Sequence, residues 1–400
     1  MEQGDGGGAA LKFFFRARIA ILALLIFLAF AAAGLWLRSR PGLTADWPFA
    51  AAILVALSFL HLRHAGLAAL TLVAPLPAFL AMAVLLPVDG DRVSLWLAFL
   101  PGFVLASFFA ARIARRAAEG ATAKISAGQA MKELAPAALC ALMAACAPML
   151  VVAPGATLAA ALASAGFCAL IATPLAASWF PFGENFLARA NQVRERRERG
   201  LAYLFPAARP RWGWSLSGVA LVLAALGFFG AAPLVFPIRT SPIGYAAILI
   251  AVAAVFLATR DWRRALAALL AFLPVLFLAL WAFVCVPHDP PAWNHLLPAL
   301  GIGFMPVVFV AARAARFARD GEDAAVASIR TQERDGAAVL FVLLAGALSL
   351  VAFHRLQDVP AALAVLLGAP GALIFAPAFA AALESMFPRR ATIAARYRVG

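Results

Sequence analysis

Charged residues are scarce in this sequence. Asp, Glu, Lys and Arg make up 13% of its 400 residues, against about a quarter in an average soluble domain. Hydrophobic residues reach 65%, and they form more long apolar runs than one water-soluble core can bury. The composition therefore excludes an ordinary soluble protein and predicts an all-α polytopic membrane protein.

Motifs for common enzyme chemistry are also missing. The sequence has no phosphate-binding loop of the Gly-x-x-x-x-Gly-Lys-Ser/Thr type, no His-Glu-x-x-His zinc motif and no Cys-x-x-Cys pair. The four cysteines lie in apolar runs, which is typical of packing residues rather than of disulfides or metal ligands. They are Cys140, Cys146, Cys168 and Cys285. We therefore expect no catalytic residues, no cofactor and no metal site.

Two histidine arrangements leave alternatives open. His288 and His295 flank Asp289 in a predicted outer loop, where an ordinary polar loop is a simpler interpretation than a metal site. Ser58 and His61 share a predicted helix face, but the sequence offers no orienting acid or oxyanion hole for a serine–histidine mechanism. Neither arrangement changes the expectation that the protein is not an enzyme.

Apolar runs long enough to cross a bilayer account for most of the chain. Each needs about 20 residues, and the remaining loops are too short for a soluble domain. We predict twelve spans, at 19–37, 48–62, 66–87, 94–112, 135–153, 157–180, 215–236, 243–259, 265–286, 296–313, 337–353 and 360–384. Any function must therefore lie in the spans or in short loops.

The basic residues predict an orientation. With the amino terminus in the cytoplasm and the spans alternating, 28 of the 33 Lys and Arg residues fall on the cytoplasmic side. This asymmetry predicts a bacterial inner-membrane protein with both termini in the cytoplasm. The net charge of +14 then reflects the orientation, and we expect no nucleic-acid partner.

One cytoplasmic segment, 184–213, is especially basic. Its arginines are well placed to contact anionic lipid if the segment forms a helix on the inner leaflet. They include Arg194, Arg196, Arg197 and Arg199. A plain linker that obeys the positive-inside rule and a docking site for a cytoplasmic protein are the alternatives.

The chain also contains an internal repeat. Residues 110–120 match residues 311–321 at seven of eleven positions, with an offset of 201 residues. The same offset aligns Gly102-Phe103 with Gly303-Phe304. The repeat predicts two parallel six-span halves, 1–183 and 214–400, joined by the basic linker and related by an axis along the membrane normal.

The order of elements in each half resembles the membrane part of the resistance-nodulation-division (RND) superfamily, and within it the lipid-exporting MMPL branch. Span ten begins Gly301-Ile302-Gly303, similar to the family's Gly-Ile-Gly motif, and the segment from Arg313 to Gly336 resembles the basic stretch before span eleven. The resemblance implies that spans four and ten are central. It points to Gly102, Phe103, Gly301, Gly303 and Phe304 as residues of a substrate pathway.

Two features depart from that family. The loops Arg38–Trp47 and Pro237–Pro242 are too short for its large periplasmic domains. Phe304-Met305-Pro306 stands where the family places a proton-carrying acidic residue. The deepest acidic residue is Glu384, near the end of span twelve and close in sequence to Arg389 and Arg390. All other acidic residues are predicted outside the spans, so we expect no proton coupling through the family's carboxylates.

The sequence thus favours a transport protein that handles a lipophilic, lipid-like molecule. The alternative is a non-transporting scaffold or accessory subunit of an envelope-lipid export or assembly system. Expected partners are membrane lipids, a lipophilic cargo and, for the alternative, a protein bound to the basic cytoplasmic surface.

Overall fold

A computed structural model describes residues 47–85, 92–151, 155–180, 182, 210–235, 242–286, 293–319, 324–354 and 359–387. The helices in these ranges are α1 (Trp47–Leu62), α2 (Ala65–Val73), α3 (Leu76–Leu85), α4 (Arg92–Ala118), α5 (Ala123–Cys146), α6 (Gly155–Ala177), α7 (Pro210–Val235), α8 (Pro242–Thr259), α9 (Trp262–Cys285), α10 (Trp293–Arg319), α11 (Ala324–His354), α12 (Val359–Pro370) and α13 (Ala376–Met386). The predicted first span and the arginines 194–199 lie outside the described residues.

Eight helical segments of the described chain are long and apolar enough to cross a membrane. Two shorter apolar helices lie within α1 and α8, at Ala50–Leu62 and Ile248–Thr259. The described chain is helical throughout, with no β-strand. An all-helical, multi-pass membrane protein is therefore confirmed, whereas the number twelve and the arrangement in two repeats stay predictions.

Helices α4 and α10 occupy the middle of the bundle. In an apolar stretch of 18 residues within each of their segments Leu95–Ala118 and His295–Arg319, 94% of the residues are buried, against 28% in the equivalent stretch of Trp212–Ala231 on α7. Both helices have 27 residues, and α10 begins and ends 201 positions after α4. The offset found in the sequence therefore relates the two central helices along their whole length.

Two equivalent turns connect neighbouring helices. Arg63, between α1 and α2, has a φ of 56°, and Arg260, between α8 and α9, has a φ of 49°. The amide groups of these arginines donate to Phe59 O at 2.7 Å and to Phe256 O at 2.8 Å. A left-handed residue is a common end for a helix, and in both places it lets the chain reverse within two residues.

The structure corrects the ends of four predicted spans. Helices α4 and α10 each continue six residues beyond their predicted ends at 112 and 313, and α5 and α11 begin at Ala123 and Ala324, well before 135 and 337. An apolar run marks only the part of a helix that suits hydrocarbon, whereas backbone hydrogen bonds continue the helix wherever its charged side chains find partners. Glu133 and Asp335, predicted in cytoplasmic segments, are consequently residues of helices.

Two other predicted spans are interrupted. The predicted span 66–87 is divided into α2 and α3 at Ala74–Pro75. Between α12 and α13, the segment Gly371–Phe375 is a π-helix, and the Gln332 side-chain amide donates to Leu373 O at 2.6 Å. That hydrogen bond satisfies a backbone carbonyl of an irregular turn deep in the bundle.

Candidate functional site: a buried charged network at the carboxyl ends of α4 and α10

Glu133 of α5 is surrounded by arginines from both central helices. Its Oε2 accepts hydrogen bonds from Nε and Nη2 of Arg112 on α4, the first at 2.8 Å. Its Oε1 accepts from Nη2 of Arg116 at 2.7 Å. Nη1 of Arg313 on α10 lies 3.5 Å from Oε2. One carboxylate therefore links the carboxyl ends of α4 and α10.

Asp335 of α11 extends the same group of charges. Its Oδ2 accepts from Nε of Arg313 at 3.0 Å, so Arg313 bridges two acidic residues. Arg112 and Arg313 are both buried. We call Arg112, Arg116, Glu133, Arg313 and Asp335 the Glu133 cluster. It joins α4, α5, α10 and α11, and breaking it by removing one charge would leave its partners buried and uncompensated.

Electrostatics keep the Glu133 carboxylate ionised. Burial by itself would raise the pKa of this carboxyl, but hydrogen bonds from Arg116 and Arg112, together with the charges of Arg112 and Arg313, lower it to about 2. Glu133 lies on the part of α5 before the predicted span 135–153. A carboxylate with this pKa stays charged at neutral pH, so it suits a permanent ionic contact rather than a proton carrier.

A second buried ion pair lies between α9 and α13. Nη2 of Arg264 is 3.1 Å from Oε1 of Glu384, and Nη1 of Arg264 donates to Ser328 Oγ of α11 at 3.2 Å. A small cavity with room for about one water molecule adjoins Arg264 and Ser328. Glu384 is thus paired with a residue far away in the sequence. Arg389 and Arg390, which the sequence places near it, lie outside the described residues.

A polar face of α11 runs between the two charged groups. Ser328, Thr331, Gln332 and Asp335 are all buried, and their spacing of three or four residues places them on one side of the helix. Ser328 contacts Arg264, and Asp335 contacts Arg313. The buried polar residues therefore extend across the bundle from α13 to α4.

The predicted pathway glycines lie at close helix crossings. A Cβ at Gly102 would be 2.8 Å from Ala165 O of α6, one at Gly301 would be 2.6 Å from Ala145 O of α5, and one at Gly303 would be 2.5 Å from Ala364 O of α12. These glycines let neighbouring backbones approach closely. Their role in a substrate pathway stays a prediction.

The middle of the contact between α4 and α10 is aromatic and apolar. Phe103 and Phe304 are buried. The ring centroids of Phe304 and of Phe272 on α9 are 4.3 Å apart. Phe108 of α4 and Phe309 of α10 stack with their centroids 4.5 Å apart and their planes 9° apart. The interface that the pathway prediction concerns is therefore filled by side chains here.

One histidine lies in a different setting from the one that the sequence predicted. His295, predicted in a loop, is buried within α10, whereas His288 and Asp289 lie outside the described residues. Among the residues described, no group of three His, Cys, Asp or Glu side chains is arranged to hold a metal ion. His61 and Ser58 line a common small cavity with Ser107 of α4.

Sequence reasoning missed the Glu133 cluster because it assigned charged residues to loops. The repeat contained a usable signal, since the offset of 201 places Arg112 on Arg313. The acidic partners follow 21 and 22 residues later, on the next helix of each half. A repeated arginine followed by an acidic residue at this distance indicates an ion pair between neighbouring helices.

No family model matches this sequence, and no curated protein is significantly similar to it. Two crystal structures of SecDF, an RND-superfamily membrane protein, share the fold. A super-membrane-facing form matches with a TM-score of 0.61 and 13% identity, over 89% of this chain and 64% of the SecDF chain. SecDF of Thermus thermophilus, described as a translocon-associated membrane protein, matches with a TM-score of 0.57 and 14% identity, over 88% of this chain and 64% of the other.

This chain thus spans just under two thirds of the length of the SecDF chains that it matches. At such identities the likeness establishes the fold alone, which is the membrane fold that this chain shares with SecDF. The likeness does not distinguish the MMPL branch from other branches of the superfamily, and it does not identify a substrate.

Proposed function

We propose that this RND-type membrane protein is a transport protein that handles a lipophilic molecule at the interface of α4 and α10. The interface has two chemically different parts. Its middle is apolar and aromatic, with Phe108 stacked on Phe309. Its carboxyl end is held by Glu133 between Arg112 and Arg313.

The difference between these two parts is the observation that supports the proposal. Apolar contacts between helices inside a bilayer are readily replaced by contacts with an apolar ligand, because hydrocarbon and apolar side chains interact with a helix about equally well. The buried ion pairs at the carboxyl end are not exchangeable in this way. A lipophilic cargo would therefore enter between the aromatic side chains while the Glu133 cluster keeps the two helices together at one end.

The experiment is purification in mild detergent, followed by mass spectrometry of whatever accompanies the protein. We expect one lipophilic compound at a near-stoichiometric amount in the wild type. Phe309→Ala should lower that amount several-fold, because the aromatic wall of the interface is lost. Phe229→Ala is the matched control, since Phe229 lies on α7 with 73% of its surface exposed.

Equal amounts of the compound in all three proteins would show that it is bulk lipid and would contradict the proposal. The second candidate, an accessory subunit, is favoured by the apolar Phe304-Met305-Pro306 stretch, which offers no titratable group for coupling. The description of one SecDF neighbour as translocon-associated agrees with it. A stoichiometric protein partner accompanied only by bulk lipid would support that candidate.

A further inference from the structure

A small cavity between α1, α4 and α11 is separate from the charged network. Its polar lining consists of Ser58 and His61 of α1 and Ser107 of α4, and Phe341 of α11 closes one side. Helices α1 and α4 belong to the first predicted half and α11 to the second. The cavity therefore lies where the two predicted halves meet.

Ser107 indicates what the cavity holds. Its side chain is buried, at 2% exposure, and its hydroxyl oxygen has no hydrogen-bond partner among the residues described. Buried hydroxyl groups in proteins nearly always have a partner, and ordered water supplies it where no protein atom does. The adjoining cavity has room for about one water molecule. A bound water molecule is the partner that fits both observations.

His61 adds a titratable group to the same cavity. Its ring stacks on Phe341 of α11, with centroids 5.2 Å apart and planes at 23°. The neighbouring Ser58 hydroxyl accepts a hydrogen bond from Thr71 Oγ1 at 3.3 Å. An imidazole is the side chain whose charge ordinarily changes near neutral pH, and here it lies on the contact between α1 and α11.

We propose that His61 and Ser107 bind a water molecule in this cavity and form a protonation site that makes the packing of α1 against α4 and α11 depend on pH. Uptake of a proton by the imidazole places a positive charge against the face of the Phe341 ring, which attracts cations. The contact between the helices therefore changes strength when His61 changes charge. The proposal is independent of whether the protein transports anything.

The other ionisable residues described on α1, α4 and α11 lie outside the lining of this cavity. Arg63 and His64 lie in the turn to α2, and His64 Nδ1 accepts from the Leu67 amide at 3.2 Å while its ring contacts Phe180 and Phe182. Arg112 of α4 and Asp335 of α11 are engaged in the Glu133 cluster. None of these four residues lines the described cavity, so His61 is the ionisable group that the water would contact.

The test is a histidine titration of the full chain in lipid nanodiscs. Histidine carrying ¹³C at Cε1 gives five resonances, one for each histidine, and His61→Gln identifies that of His61. We expect the His61 resonance to shift between about pH 5 and pH 8. Ser107→Ala should move its midpoint by roughly half a pH unit or more, because the hydrogen-bonded water is lost or displaced.

Ser164→Ala is the matched control, since the Ser164 hydroxyl on α6 donates to Ala161 O at 2.8 Å and lies outside the cavity lining. It should leave the His61 midpoint unchanged. The proposal is overturned if His61 keeps one charge state across this pH range, or if Ser107→Ala has no more effect than the control. His61→Gln should also reduce the dependence of the thermal unfolding midpoint on pH between about 5 and 8, and an unaltered dependence would equally contradict the proposal.

Discussion

At the scale of single residues, Glu133 is the side chain with the most concentrated interactions. Three arginines from two helices contact its two oxygens, and its side chain keeps 15% exposure. A carboxylate in this position does not add much stability relative to an apolar residue, because desolvation offsets the attraction. It does help to specify which helices lie together, since it pairs with arginines of both α4 and α10.

Removal of the Glu133 charge should destabilise the protein strongly. We expect Glu133→Gln to lower the free energy of unfolding by about 2–4 kcal/mol, because Arg112 would remain buried without its carboxylate partner and Arg313 would keep only Asp335. Unfolding in mixed micelles measures this change. Glu119→Gln is the control, since Glu119 pairs with Arg115 and Arg116 at 31% exposure, and it should cost less than about 1 kcal/mol. Equal losses would show that burial of the cluster is unimportant.

The same carboxylate predicts a dependence of stability on pH. The pKa of Glu133 is lowered from its usual 4.5 to about 2, so its contribution is fully present above pH 4.5 and is lost as the pH falls towards 2. The stability difference between wild type and Glu133→Gln should stay constant above about pH 6 and narrow below about pH 4. Unfolding curves of both proteins across this pH range measure the stability difference. A difference that narrows near neutral pH would contradict the lowered pKa of Glu133.

At the scale of helices, glycines decide how closely the central pair is packed. Gly102, Gly301 and Gly303 each face a backbone carbonyl of a neighbouring helix at a distance that leaves no space for a methyl group. Packing of this kind is a main source of helix association in a bilayer, where no hydrophobic effect drives helices together. A bulky substitution at Gly303 would consequently disturb folding before it could block a pathway.

We expect Gly303→Ala to destabilise the protein by about 1–3 kcal/mol, since its Cβ would meet Ala364 O. Gly128→Ala provides the opposite case. Gly128 is an exposed position inside α5 with no atom within 4 Å of the added Cβ, and alanine there should stabilise the helix by up to about 1 kcal/mol. Thermal unfolding of the two variants beside the wild type measures both effects. Similar shifts of the unfolding midpoint in both variants would show that the close crossing at Gly303 does not determine the effect of the substitution.

At the scale of the whole molecule, polar contacts join distant parts of the chain at two levels. The Trp96 indole of α4 donates to Ser349 Oγ of α11 at 3.0 Å, and the Glu133 cluster joins the same two helices, with α5 and α10, near the other end of α4. The residues in each contact are up to 253 positions apart. Neither predicted half therefore forms its own complete core, and we expect the two halves to fold as one unit.

The predicted orientation is open to a direct test. In a variant without the four native cysteines, Ala121→Cys in the turn between α4 and α5 should react with a membrane-impermeant maleimide only after the membrane is permeabilised. Asp289→Cys, in the opposite predicted loop, should react in intact spheroplasts. The reverse pattern would overturn the prediction that both termini are cytoplasmic, although the fold would be unaffected.

The sequence alone determined the chemical class and the main elements of this protein. Apolar runs located the membrane helices, because the bilayer requires about 20 apolar residues in each span. The offset of 201 residues aligned the sequences of α4 and α10, and the predicted RND resemblance agrees with the fold that the chain shares with SecDF. Arg112 and Arg313 were already visible as repeated residues.

Only the tertiary structure decided what those residues do. Hydropathy depends only on the local sequence, so it assigned Glu133 and Asp335 to loops. In the structure, arginine partners on other helices allow both residues to be buried in charged form. Local sequence also cannot reveal the close backbone crossing at Gly303 or the unpartnered hydroxyl of Ser107, because both depend on how neighbouring helices pack. Local composition sets which segments enter the membrane, and contacts between segments distant in the sequence set which buried groups are paired.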